Sequence, residues 1–269
     1  MHASGPILCP GEGVVLRTDQ AAATHAGGRV NNEDAYWLAP EIGLYVVADG
    51  IGGYQGGEVA SGLATRALAE FVAEKQAEIA RNPPSSENER LALWTDVLVQ
   101  GIHHAHHKIL AAQVGELSMM GSTLAALLIP DRVALIGHVG DSRVYLYREG
   151  ELRQLTRDHT LDQEVLARGV EVSEDLHLLF RNELTRALGI EGAAEPEISR
   201  VPVQPADLFL LCTDGLYNAL TTDQIAAALQ SGTAQEICER LVREAQGNAV
   251  DNVTVLIVRV IEAGPSAAS

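Results

Sequence analysis

Residues 44–61 read L-Y-V-V-A-D-G-I-G-G-Y-Q-G-G-E-V-A-S. A short apolar run rich in β-formers ends in Asp49-Gly50, a glycine-dense turn follows, and a pattern of helical period begins after it. The order is buried strand, carboxylate at its tip, loop, helix. A carboxylate at a strand exit is held rigidly by the sheet behind it. A phosphate-cradling P-loop would need a lysine directly after its last glycine, but Gly57 is followed by Glu58. The two lysines, Lys75 and Lys108, lie elsewhere. The loop therefore presents Asp49 to a cation rather than amides to a nucleotide.

Upstream, strands are predicted over 14–25 and 35–39, on either side of the turn G-G-R-V-N-N-E-D at 27–34. Downstream, Ala60, Leu63, Ala64, Ala67, Leu68, Phe71 and Val72 recur at helical spacing until the breaker N-P-P-S-S at 82–86. A second helix carries Leu91, Trp94, Leu98, Ile102, Ala105 and Ile109 on one face. The runs 124–129, 133–139 and 144–147, split by Pro130-Asp131 and Gly140-Asp141, predict an antiparallel meander, and Glu149-Gly150 a hairpin turn into 152–155. Residues 157–190 show one helix near 161–168 and weak periodicity beyond. A buried strand at 208–213 ends in Asp214-Gly215, helices follow at 223–229 and 234–244, and 253–260 closes as a strand. Strands on both sides of the Pro-rich linker are needed to complete sheets, so a single α+β domain is predicted over 14–261. It is preceded by a flexible arm, 1–13, and followed by a tail, 262–269.

The chain has 269 residues, 46% of them hydrophobic and 20% charged, with a formal charge of −17. No basic stripe is present, which argues against nucleic acid or an anionic membrane as partner. No apolar run approaches the roughly 20 residues of a membrane span. The N-terminus lacks the basic head and apolar core of a signal peptide. Cys9, Cys212 and Cys238 are odd in number and widely spaced, indicating neither a disulfide framework nor a zinc cluster. The expected location is the reducing cytoplasm.

Carboxylates recur at predicted strand ends: Glu33, Asp34, Asp49, Asp141, Asp214 and Asp251, each beside Gly or Asn or one residue away. Oxygen-only ligands suit hard ions such as Mg²⁺ or Mn²⁺ better than zinc. Any one Asp-Gly pair is ordinary turn chemistry. Repetition at the tips of buried strands shifts the balance, because crowded carboxylates are costly unless a cation neutralises them. Elsewhere, His103 and His107 stand one turn apart in H-H-A-H-H with no third ligand, so a solvated helix face is expected. Cys212 reads as a buried, inert thiol. Arg186 reads equally as a cleft residue or as one half of a structural ion pair.

Seven blocks resemble the metal-dependent (type 2C, PPM) serine/threonine protein phosphatases in their compact bacterial form. They are R-V-N-N-E-D at 29–34, V-A-D-G-I-G-G-Y-Q-G-G-E-V-A-S at 47–61, G-S-T at 121–123, H-V-G-D-S-R at 138–143, L-T-R-A-L-G at 184–189, C-T-D-G-L at 212–216 and D-N-V-T at 251–254. They run in family order over roughly 20–260. The resemblance implies a four-layer α-β-β-α sandwich, with two central antiparallel sheets between helix pairs. It implies two Mn²⁺ or Mg²⁺ ions with Asp49 bridging both, the Gly50 carbonyl on one, and Glu33, Asp214 and Asp251 completing the shells. Asp34 would orient water, Arg29 would clamp the phosphoryl oxygens, and Asp141 with Asp214 would hold a third, weaker ion. The reaction implied is hydrolysis of phosphoserine and phosphothreonine in proteins by a metal-bridging hydroxide, opposing a serine/threonine kinase, by a monomer. Residues 157–184 correspond to the family's variable flap. Ile51 stands where some members carry a histidine that protonates the leaving group. Two rivals, a catalytically silent phosphoprotein binder and a structural calcium domain, are disfavoured by the complete and scattered carboxylate set.

Overall fold

A computed structural model describes residues 6–7, 15–52, 56–170 and 173–263. In chain order the strands and helices are β1 (Pro6–Ile7), β2 (Val15–His25), β3 (Asp34–Ala39), β4 (Leu44–Ile51), α1 (Gly56–Arg81), α2 (Glu87–Ala112), β5 (Gly121–Ser122), β6 (Leu124–Leu128), β7 (Val133–Val139), β8 (Arg143–Arg148) and β9 (Glu151–Gln154). Then come α3 (Leu161–Ala167), α4 (Glu174–Phe180), β10 (Glu197–Pro202), β11 (Leu208–Cys212), α5 (Asp214–Ala219), α6 (Thr222–Leu229), α7 (Ala234–Gln246) and β12 (Val253–Ala263).

Two antiparallel sheets form the centre, one in the order β1-β2-β12-β11-β8-β9 and the other β10-β7-β6-β4-β3, with β5 pairing to β4. Both faces of each sheet are covered, so its strands are apolar on both faces and the sequence shows runs rather than alternation. In β4, Tyr45 and Val47 point between the sheets, where they meet Leu127, Ile136, Phe209, Leu211 and Leu256. Val46 and Ala48 point the other way, onto α1 and α2. In β11 the same alternation sends Leu210 and Cys212 onto α6 and α7. Each fully buried Leu, Val, Ile or Phe contributes about 1.5–3 kcal/mol relative to exposure. The layering is the predicted α-β-β-α sandwich.

The two long helices follow the predicted apolar faces, with Ala60, Ala64, Leu68 and Val72 against Trp94, Leu98, Ile102 and Ile109. Gly101 allows their close approach: a Cβ there would meet Leu68 Cδ1 at 2.6 Å. α7 starts at a capping box between Thr233 and Glu236, and α6 at one between Thr221 and Gln224.

Several expectations are corrected. The strands at 124–147 do not form a meander: β6 and β7 pair, but β8 belongs to the other sheet, beside β11 and β9. The chain crosses between sheets at Gly140-Asp141, with Gly140 at φ +97°. An apolar strand covered on both faces carries no mark of which sheet it joins. Pro6 and Ile7, expected in a loose arm, pair with Arg17 and Leu16; the rest of 1–13 lies outside the described residues. β10, α4 and α5 are additional elements. β10 is an edge strand mostly short of full burial, hence its weak apolar signal. His103 and His104 are half-buried and His107 exposed, with His104 against the Phe71 ring at 5.3 Å; His106 is buried, its Nδ1 accepting from the Gly189 amide at 3.0 Å.

Candidate metal centre

The predicted carboxylates converge because the strands bearing them end at one edge of the sandwich. Asp34 and Asp49 are directly paired residues of β3 and β4. Asp214 opens α5 just after β11, and Asp251 lies just before β12, the partner of β11. A cavity of about 390 Å³ at this edge is lined by Arg29, Glu33, Asp49, Gly50, Asp251 and Asn252, among others.

The glycines and hydroxyls of the blocks hold this arrangement. Asp49 is fixed by its backbone: its amide donates to Thr123 Oγ1 at 2.9 Å, and its carbonyl accepts from the Thr123 amide at 2.8 Å and from Ser122 Oγ at 3.0 Å. A Cβ on Gly50 would lie 2.1 Å from the Gly57 carbonyl oxygen and 2.6 Å from that of Glu33, so only glycine permits the close packing of strand, loop and helix start. Ser61 Oγ donates to the Glu33 carbonyl at 2.6 Å.

The electrostatics are those of crowded, desolvated anions. Burial raises the Asp49 carboxyl well above the usual carboxylate range, with Asp34, Asp214, Asp141 and Asp251 adding to it. Burial likewise pushes Asp34 up to about 7, against hydrogen bonds that include the Thr213 hydroxyl at 2.8 Å. Asp141 is raised to about 7 by burial and then by Asp214, and Asp214 to about 6 by burial and then by Asp251. Glu33 is raised by burial, with Arg29 acting in the opposite sense. Among the described residues, Asp34 Oδ1 and Asp214 Oδ1 are buried without any hydrogen-bond partner. Unsatisfied buried carboxylate oxygens are costly. Divalent cations are the group that this donor set fits.

In the sequence, Asn252 carries no signal beyond its place in D-N-V-T. Its Oδ1 accepts from the Glu33 amide at 2.8 Å, and its Nδ2 donates to the carbonyls of Ala26 at 2.9 Å and Asn31 at 2.8 Å. It clips the 26–33 turn to the entry of β12. Only a side chain with both donor and acceptor can do this. Asn252→Ala should lose about 1–3 kcal/mol in urea unfolding. Asn252→Asp should lose more, since it removes the donors and adds a sixth aspartate to the cluster; equal stability of the two variants would contradict the clip.

Of the other predicted residues, Arg29 reaches the edge but is ion-paired with Asp251 at 2.7 Å. Asp141 approaches from the crossover, with Tyr217 Oη donating to its carbonyl at 3.0 Å. Ile51 pairs with Gly121. Cys212 is fully buried, and burial raises its thiol. Arg186 has no carboxylate partner among the described residues; it lies 3.4 Å from His159 Nε2 and 3.3 Å from the Glu195 carbonyl.

A double antiparallel sandwich with a buried carboxylate cluster at one edge and an arginine beside it defines a metal-dependent hydrolase of phosphate esters. The chain belongs to the protein phosphatase 2C family, whose model matches residues 23–251. It is 34% identical over 250 residues to the serine/threonine phosphatase stp of Listeria innocua, covering 90% of this chain and 94% of that one. Its fold is similar to the crystal structure of the Mycobacterium tuberculosis serine/threonine phosphatase PstP/Ppp, with TM-score 0.77, 33% identity, and coverage of 90% of this chain and 98% of that one. A PstP catalytic domain in complex with two manganese ions is similar at TM-score 0.76, 33% identity, and coverage of 91% and 99%.

Proposed function

We propose that this chain hydrolyses phosphoserine and phosphothreonine in proteins, using two Mn²⁺ or Mg²⁺ ions at the carboxylate edge and a third, weaker one beside them. The observation that carries this reading is the pair of buried, partnerless oxygens on Asp34 and Asp214 within the cluster. When bound, two such ions acidify water to a nucleophile at neutral pH and neutralise charge developing on phosphorus.

The residues divide the work. Asp49, at the centre of the cluster, would face both ions, with the Gly50 carbonyl, Glu33, Asp214 and Asp251 completing the shells. Asp34, rigidly held by Thr213, would orient the attacking water. Asp141 would share the third ion with Asp214. Arg29 takes the substrate phosphoryl: its side chain is 62% exposed, and a cation on Asp251 would weaken the ion pair that now engages it. A planar fork of donors suits two phosphoryl oxygens. With Ile51 in place of a histidine, a water or a substrate group would supply the proton to the departing alkoxide, or the step tolerates a poorer acid. The wider setting of this reading is a cytoplasmic monomer opposing a serine/threonine kinase. Its support is the compact seven-block resemblance, and no helix among the described residues is long and apolar enough to cross a membrane.

The test is turnover of a phosphothreonine peptide with Mn²⁺, Mg²⁺, Ca²⁺ and chelator. Activity is expected with Mn²⁺ or Mg²⁺, and undiminished turnover in excess chelator would sink the reading. Arg29→Ala should raise KM about tenfold, as for loss of a charged hydrogen-bonded contact. Arg29→Lys should recover little of this, because a point charge lacks the bidentate geometry.

A further inference from the structure

Away from the carboxylate edge, a cavity of about 330 Å³ is lined by Arg157, Arg168 and Arg186 together with His159, Asp158 and Glu164. Three arginines in one cavity are conspicuous in a chain with 19 Lys and Arg against 36 Asp and Glu. Of the local anions, one is engaged outside the cavity, one is held loosely by a lining arginine and one pairs with a lining arginine. Asp158 is bound by Arg143 through Nη2 at 2.6 Å and Nε at 2.9 Å. Glu164 is 3.8 Å from Arg168, whose side chain is 77% exposed. Glu197 takes Arg157 at 3.2 Å.

His159 decides the sign of the site. Its Nδ1 accepts from the Gly140 amide at 3.1 Å, which places the ring proton on Nε2. Burial, then His138 and Arg186, lowers its pKa to about 3, so the ring is neutral. The Nε2–H is thus a donor, on a ring that lines the cavity but is 2% exposed. Its neighbours are another donor, Arg186 Nη1 at 3.4 Å, and Glu197 Oε2 at 3.6 Å, beyond hydrogen-bond reach. The two donors share no acceptor, although Arg186 Nη1 also donates to the Glu195 carbonyl at 3.3 Å.

His138, His159 and Glu197 are near enough together to suggest a metal site, with ligand atoms within 4.8 Å of one another. A cation on His159 Nε2 would need that nitrogen deprotonated while Nδ1 still accepts, and it would sit against two guanidinium groups. His138 Nε2 is also engaged, bonded to the Arg157 carbonyl at 2.8 Å. The donors call for an anion.

The cavity shares Asp158 and Gln163 with a smaller one of about 190 Å³ that reaches Tyr217 and Asn218. Those two side chains bond Asp141 and Asp214. The arginine cavity is thus linked to the carboxylate edge through shared walls and through side chains that bond its aspartates. We propose that this cavity is a second anion site for a phosphate monoester dianion, occupied by a further phosphoresidue of the same substrate chain whose first phosphoresidue lies at the carboxylate edge. The inference rests on the phosphatase reading above. Three guanidinium forks and the His159 N–H supply the donors that a dianion accepts best.

The test compares kcat/KM of the Mn²⁺-loaded enzyme on phosphothreonine peptides with and without a second phosphoserine, placed about two to six residues away on either side; extended chain advances about 3.3–3.6 Å per residue. At the matching spacing, the second phosphate should raise kcat/KM about tenfold, mainly through KM, as for charge-assisted hydrogen bonds. The Arg157→Ala/Arg168→Ala double variant should reduce that preference below about twofold, with p-nitrophenyl phosphate and singly phosphorylated peptide hydrolysed as by wild type. A preference absent at every spacing, or undiminished in the double variant, would overturn the proposal. Inorganic phosphate separates the two sources of the dianion. If it inhibits wild type non-competitively, loses that mode in the double variant, and no peptide preference exists, the occupant is free phosphate and the substrate assignment fails. Absence of turnover on the singly phosphorylated peptide would instead count against the phosphatase reading itself.

Discussion

Asp49→Asn should lose more than about 100-fold in turnover while melting at a higher temperature than wild type when both are metal-free at pH 8. The first half follows from position. Even outer partners of metal ligands are worth about 10–100-fold in affinity or activity, so a ligand at the centre of the carboxylate set should exceed that. The second half follows from charge. Burial and then Asp34, Asp214, Asp141 and Asp251 raise the Asp49 carboxyl, meaning that its ionised form is destabilised in the folded chain. Asparagine is nearly isosteric and carries no charge, so the variant relieves that repulsion. Each kcal/mol recovered appears as about 2–4 °C in a domain approaching this size. Phosphopeptide kinetics and a thermal melt in chelator read the two halves separately. A variant that melts lower and loses activity with its fold would mark Asp49 as a structural turn residue, and the trade of stability for function would not hold there.

The reach of the sequence differs between strand tips and strand neighbours. Asp49 was legible because a run of β-formers ends in Asp-Gly before a helical pattern, a local signal complete within 18 residues, and the structure places it at the exit of β4. Convergence of Asp34, Asp214 and Asp251 on the same edge depends on pairings such as β2 with β12, whose partners, His25 and Val253, are far apart in sequence. No periodicity encodes that, and the family resemblance supplied it. The sheet membership of β8 is not legible for the same reason: Val144 and Leu146 are as apolar as a meander would need, yet they fill the space between sheets from the opposite side. Asn252 and His159 leave no mark in the sequence, because their bonds run to backbone groups of distant turns. Nothing in a single polar residue announces which carbonyl or amide it will meet.

The metal-free protein should lose stability as pH rises from about 4 to about 7, and Mn²⁺ should restore it most at the upper end. In the fold, Asp34 and Asp141 are pushed up to about 7 and Asp214 to about 6. Unfolded aspartates titrate near about 3.9. Between those values the folded chain binds more protons than the unfolded one, so the unfolding free energy falls with pH across that window. The sign is opposite to that of a salt-bridged aspartate. A divalent ion must displace the same protons, so its affinity weakens as pH falls below about 7. At about 100 times its Kd, an ion that binds only the folded state adds about 2.7 kcal/mol. That corresponds to a melting shift of about 5–10 °C. The whole-chain charge of −17 also opposes folding at higher pH. The cluster's share is therefore read as the difference in slope between wild type and Asp34→Asn, both in chelator. Identical slopes, or an equal Mn²⁺ shift at pH 5 and pH 8, would mean that the carboxylates titrate as ordinary surface groups. A shallower slope for Asp34→Asn, with an Mn²⁺ shift larger at pH 8 than at pH 5, would tie the instability of the empty centre to the charges that hold its ions.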